Sequence, residues 1–452
     1  VIFLKDLAMS DLSQQWRKRS IEHLWNPYTE MSEFAELEFP IMQKASGAYL
    51  YDLDGKAYLD GIASWWCVNL GHSHPRLIEA VNTQMSHMQH SILGGMSHPP
   101  AIELAERLAA LAPGNLNHVY YAGDGSSAVE AALKIAVQYY VNMGAEPRSQ
   151  FISLADGYHG DTLGAVGVGY VDSFHKDFKE VIRSSHRALS PDCANCPFQK
   201  SPDSCQTECF QSMEDLVVKH HQTTAAVIVE PRCQGAAGIR IYPALYLKKL
   251  RTLCDDYNLL LICDEIAVGF GRTGEMFACE TASIVPDIMT IGKGLTGGYM
   301  PMSALITTPE IYNSFKKDNQ RVRTFFHGHT FCGNPVTSAL ALAALDVYHH
   351  EQILQIQKPR ALQLERGFQK LGGLLHNSMA LSLGMVAKVE INQSAGGAAR
   401  AHKISRRALT LGLIARPMGA AIYLWPPLNI SELELKQMLE IFEQAIRETE
   451  AG

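Results

Sequence analysis

The stretch LLLICDEIAVGFGRTGEMFACETASIVPDIMTIGKG, residues 259–294, decides the fold. Its two apolar runs, "LLLIC" and "IMTI", are too short for helices and read as buried strands. Each run stops on a residue able to do chemistry. Asp264-Glu265 follows the first, and Lys293, set between two glycines, follows the second. The same unit recurs towards the N-terminus in "NHVYYAG", "QFISLAD" and "AAVIVE", interleaved with helical stretches such as "SSAVEAALKIAVQYY". Apolar runs of five to eight residues separated by helical segments predict an α/β fold, with a mostly parallel sheet sandwiched by helices.

The chain ends follow a different pattern. "GAYLYDLDGKAYLD", residues 47–60, alternates apolar and polar side chains around Asp54-Gly55, which predicts a hairpin. After Asn334 the chain turns helical through "PVTSALALAALDVYHH" and a long segment ending near Gly372. Two strands, "MVAKVEI" and "AIYLWPP", and a terminal helix from Ser431 then close it. We expect a small α+β domain built from residues 1–74 and 345–452, around a large domain of residues 75–344. A chain of 452 residues, 47% hydrophobic, suits that division.

Composition narrows the function. A formal net charge of −7 leaves no electrostatic footprint for nucleic acid or an anionic membrane. No apolar run is long enough to span a bilayer. Val1–Leu4 is too short for a signal-peptide core, and Met9 reads as a natural start preceded by extraneous residues. A cytoplasmic location is expected. Six scattered cysteines (Cys67, Cys233, Cys254, Cys263, Cys279 and Cys332) read as small core residues. Cys193, Cys196, Cys205 and Cys209 have a spacing that zinc thiolates can have, but a surface excursion with free thiols or an adventitious disulfide pair is the plainer reading. No metal is expected in the function.

Three strand ends carry the candidate chemistry. The turn Ala122–Ser127 opens a helix with glycines and serines, which suits a phosphate, although an ordinary N-cap uses the same residues. Asp264, at the end of a buried strand, faces the crevice where such sheets bind ligands. Lys293 between glycines leaves room for a planar ring to approach the backbone. Turn, acid and lysine on one sheet edge together predict a pyridoxal 5'-phosphate (PLP) site, in which an acid keeps the pyridine nitrogen protonated. Tyr158 follows another strand and could stack on the cofactor. In Ser64-Trp65-Trp66, an extended backbone would send the two rings to opposite sides.

The segments "IVEP", "CDEIAVGFGRTG", "IGKGLTGG", "GYHGDT" and "HGHTFCGNP" resemble the class III aminotransferases, PLP enzymes of fold type I, from about His23 to the C-terminus. Within that family, "LWNPYTEM", "ASWWCVNLGHSHP" and "ARPMGAAIYLWPP" resemble the branch that converts 8-amino-7-oxononanoate to 7,8-diaminononanoate in biotin biosynthesis, with S-adenosylmethionine as amino donor. Members using lysine as donor, and other ω-aminotransferases, share part of the pattern. The resemblance implies that Lys293 carries the cofactor and shuttles protons, that Asp264 pairs with its pyridine nitrogen and that Tyr158 stacks on its ring. It further implies that Gly125 and Ser126 hold the phosphate, with Thr330 from the second subunit of a homodimer. The same resemblance implies that Arg416 binds a substrate carboxylate and that Tyr28, Trp65 and Asp161 line the substrate pocket, with the substrate-binding Tyr423 nearby. Two departures stand out. Asp124 occupies a position where the family usually has Ser or Thr, so it should turn away or bind a backbone N–H. The four-cysteine excursion is missing from many relatives.

Overall fold

A computed structural model describes residues 10–201, 204–318 and 322–450, so the expectations on Val1–Leu4 and Met9 lie outside the described residues. At its centre is a seven-stranded sheet. In chain order the strands are β1 (His118–Ala122), β2 (Gln150–Leu154), β3 (His186–Ala188), β4 (Thr224–Val229), β5 (Leu260–Asp264), β6 (Ile288–Ile291) and β7 (Ser303–Thr307). They pair in the order β1-β7-β6-β5-β4-β2-β3. Every strand runs one way except β7, which is antiparallel to both neighbours. The C-terminal ends of β1, β2, β4, β5 and β6 therefore open on one edge.

Side-chain alternation explains why helices cover both faces. Val227, Val229, Leu261, Cys263, Met289 and Ile291 enter one core. Their neighbours Ala226, Ile228, Leu260, Ile262 and Ile288 enter the other. Successive residues of a strand point to opposite faces, so a strand apolar at every position must be covered twice. The helix Gly125–Asn142 covers the second face with Val129, Ala132, Leu133 and Ala136. Leu104 and Leu108, Leu247 and Leu250, and Leu340 and Ala344, from three other helices, cover the first. Fully burying one such side chain stabilises by about 1.5–3 kcal/mol, so a charge placed at Ile262 would break the sheet.

The expected hairpin forms from Tyr49–Asp52 and Ala57–Asp60. Leu413–Ile414 adds to it in parallel, so the two chain ends share one sheet. Val386–Ile391 and Ala421–Leu424 pair in a separate three-stranded sheet. In the central sheet the sequence reading passed over two strands. β3 is only three residues, "HRA", with little apolar signal. β7 follows the short connection Gly292–Met302, which leaves no room for a full crossover helix, so the chain reverses instead.

Candidate active site

A cavity of about 390 Å³, the size of a small-molecule site, lies at the strand ends. Gly125 and Ser126 line it after β1, and Tyr158 and His159 after β2. Glu230 follows β4, Asp264 ends β5 and Lys293 follows β6. Residues far apart in the chain meet here because parallel strands end on the same edge.

The inner wall is rigidly bonded. Asp264 is buried, and its Oδ2 lies 2.7 Å from His159 Nδ1. Its Oδ1 accepts from the Thr290 hydroxyl and the Ile266 N–H, both at 3.1 Å. Glu230 accepts from the Tyr158 N–H at 3.0 Å and the Gly235 N–H at 2.9 Å. Burial pushes the Glu230 carboxyl up to about 7, against the opposing pull of His159. Burial also lowers the Lys293 amine, opposed by Asp264, Glu230 and Cys67. Lys293 Nζ stands 5.1 Å from the centre of the Trp66 ring. Desolvation disfavours the charged form of an amine, so this lysine gives up its proton more readily than one in solvent.

At the other end of the cavity the helix Gly125–Asn142 begins. Asp124 behaves as expected, capping that helix by accepting from the Ser127 N–H and hydroxyl, both at 2.9 Å. The N–H groups of Gly125 and Ser126 have no carbonyl partner within the helix and meet the cavity with the positive end of its dipole. Gly160, at φ +119°, passes so close that a Cβ there would stand 2.0 Å from Ser126 Oγ.

The rim gathers residues from both chain ends. The Tyr28 hydroxyl donates to Asp161 Oδ1 at 2.6 Å, and Tyr158 donates to Oδ2 at 2.9 Å. Burial, followed by the bond to Asp161, pushes the Tyr28 phenol up to about 12. Arg416 donates to the Tyr28 carbonyl at 3.1 Å and lies over the Trp65 face at 4.5 Å. Trp65 and Trp66 do split as expected, yet the backbone is a left-handed turn, not an extended segment. That conformation costs about 1–2 kcal/mol per L-residue. Trp66 packs inward on Trp425 while Trp65 is half exposed. Tyr423 stands behind Trp66, fully buried, accepting from its indole N–H at 3.2 Å. Thr330 is exposed and lies away from the lining of this cavity.

The family model for aminotransferase class-III matches residues 33–446. The chain belongs to the class III aminotransferases. The adenosylmethionine-8-amino-7-oxononanoate aminotransferase of Nitratidesulfovibrio vulgaris is 39% identical over 445 residues, 96% of this chain and 82% of its own length. That of Geobacter sulfurreducens is 38% identical, covering 97% and 98%. The solved structure of the protein of the same name from Methanocaldococcus jannaschii matches with a TM-score of 0.89 at 35% identity, covering 96% of this chain and 99% of its own. An omega transaminase from Pseudomonas jessenii in complex with PMP matches with a TM-score of 0.91 at 28% identity, covering 96% and 98%. The cofactor of this class III aminotransferase is PLP. The cavity fits it: the first N–H groups of the helix Gly125–Asn142, a buried carboxylate and a desolvated amine all line it.

Sequence reasoning missed His159, Glu230 and Thr290, and of the tryptophan pair it assigned the pocket to Trp65 where Trp66 lines the cavity. Glu230 ends an apolar run as Asp264 does, so the same rule could have found it. His159 had no local signal beyond standing next to Tyr158. The four clustered cysteines are half-buried, and among the described residues no group of three or more His, Cys, Asp or Glu side chains is placed to hold a metal.

Proposed function

We propose that this chain transfers the amino group of S-adenosylmethionine to 8-amino-7-oxononanoate, giving 7,8-diaminononanoate for biotin biosynthesis, as a cytoplasmic homodimer divided as 1–74, 75–344 and 345–452. The observation that carries the reading is the rim, where the Arg416 guanidinium lies on the Trp65 face beside Tyr28 and Asp161. An apolar keto acid needs one cation for its carboxylate, and a sulfonium with an adenine needs an aromatic face. Relatives named for this reaction cover nearly the whole chain.

In this reading Lys293 carries the cofactor, Asp264 pairs with its ring nitrogen and Tyr158 stacks on it. Gly125 and Ser126 hold its phosphate, joined by Thr330 of the second subunit. PLP supplies an electron sink for the charge left when a substrate C–H proton departs. Lys293 takes and returns that proton at Nζ, whose basicity burial lowers. The fixed bonds of Asp264 to His159 and Thr290 hold its carboxylate in place. Asp161 and Tyr28 meet the substrate amine, Trp65 packs on the apolar or adenine portion, and Arg416 pairs with each substrate's carboxylate in turn. Tyr423 acts through Trp66.

Absorbance of the holoenzyme tests the donor. A visible band at ~420 nm should shift to ~330 nm on adding S-adenosylmethionine, with no response to lysine. A response to lysine alone moves the chain to the lysine-using branch, and a response to neither overturns the assignment.

A further inference from the structure

Between the strand Ala57–Asp60 and the cavity, the backbone takes a path that L-residues avoid. Ala63, Ser64, Trp65 and Trp66 have φ of 45, 45, 74 and 70°. Glycine enters this region freely and other residues do not, so four in succession persist only where the surroundings hold them. Asp60 supplies much of that hold. Its carboxylate is fully buried. Oδ1 accepts from the Ser64 N–H at 2.9 Å, and Oδ2 accepts from the Ser64 hydroxyl at 2.6 Å and lies 2.9 Å from His72 Nε2. The near end of the turn is tied through the Gly61 carbonyl, which accepts from the Trp425 N–H at 2.7 Å.

This one turn delivers both rings. It stacks Trp66 on Trp425 at 4.9 Å and sets its face under Lys293 Nζ. It also turns Trp65 to the rim, against Arg416. We propose that Asp60 is a positioning residue for the substrate subsite, holding the left-handed turn Ala63–Trp66 so that both tryptophan rings face the cavity and its mouth. The inference rests on the reading that Trp65 and Arg416 meet the substrates. A carboxylate is needed because it accepts on both oxygens, the Ser64 N–H on one and the Ser64 hydroxyl on the other, whereas an amide accepts on one atom only.

The test uses PLP-loaded Asp60→Asn, Ser64→Gly and the double variant. The measurements are the KM for 8-amino-7-oxononanoate, kcat, cofactor absorbance and the near-UV circular dichroism of the tryptophans. Asp60→Asn should raise KM about tenfold or more, keep the cofactor bound and weaken the tryptophan signal. Adding Ser64→Gly, which makes positive φ free at that position, should restore the signal and return KM to within about threefold of the Ser64→Gly variant. A merely fold-stabilising aspartate would not be rescued by glycine in the turn. Unchanged dichroism and KM in Asp60→Asn, or a lost signal that glycine fails to restore, overturns the proposal. Dichroism lost and then restored while KM stays flat supports the hold on the turn and rejects the rim reading of Trp65 and Arg416. Should Asp60→Asn not fold, Ser64→Ala removes only the hydroxyl bond. A severalfold rise in KM with altered dichroism then supports the proposal, and no change in either overturns it.

Discussion

The inner wall and the rim of the cavity use similar residue types on different foundations. Asp264 is 4% exposed and stands on the last residue of a central strand, with three bonds around its carboxylate. Trp65 and Tyr28 are 42% and 41% exposed and come from connections near the N-terminus, while Arg416 comes from near the C-terminus. Groups on a packed sheet keep one geometry, whereas groups on loops can change without loss of the fold. In the function proposed above, the wall carries the proton chemistry and the rim the choice of substrate.

The largest expected effect falls on the wall. Lys293→Ala should lower turnover by on the order of 10⁴-fold, measured as steady-state rate with excess PLP. A variant keeping a tenth of the rate would break the contrast between wall and rim. Asp264→Asn should cost about 10²–10³-fold in kcat with KM nearly constant, since it removes charge that the reaction needs.

On the rim the effect should move to KM. Arg416→Ala is expected to raise KM for 8-amino-7-oxononanoate by about 10–100-fold, the worth of a charged hydrogen bond, with kcat within about threefold. An equal fall in kcat would show that the rim shares in the chemistry.

Stability against pH sharpens the same contrast. Burial pushes Glu230 and Glu265 up from 4.5 to about 7. A carboxyl raised in the folded state contributes stability that is full below pH 4.5 and lost by about pH 7. Each group should thus tilt apoprotein stability downward by up to about 1.4 kcal/mol per pH unit across that window. Denaturant melts of Glu230→Gln should lose one share of the slope, and an unchanged slope would show that Glu230 is not neutral there. The smallest effect is expected for Tyr28→Phe, a KM increase of about 2–10-fold from one lost hydrogen bond to Asp161.

Local signals made much of this molecule legible. Apolar runs bounded by turn residues identified β1, β2, β4, β5 and β6, and the helix Pro335–His350 formed over the stretch read as helical. β3 and β7 escaped because one is too short to show a period and the other depends on how the chain returns from β6. Within the site, Asp264, Lys293, Tyr158, Gly125 and Ser126 were marked by their place at strand ends, and the structure brings all five to one cavity. Tyr423 was expected near the substrate pocket, and the structure places it behind Trp66, where it is buried.

By itself the sequence determined which strands end on an acid, a lysine and a phosphate-type turn, because apolar runs, glycines and caps act over a few residues. Tertiary structure decided the rest. His159 reaches Asp264 across 105 positions, and Arg416 reaches Tyr28 across 388. Those contacts depend on strand order and on two chain ends sharing a sheet, neither of which is a local property. The left-handed turn under Lys293 belongs to the same class, since no residue from Ala63 to Trp66 favours it and a buried carboxylate outside the turn holds it.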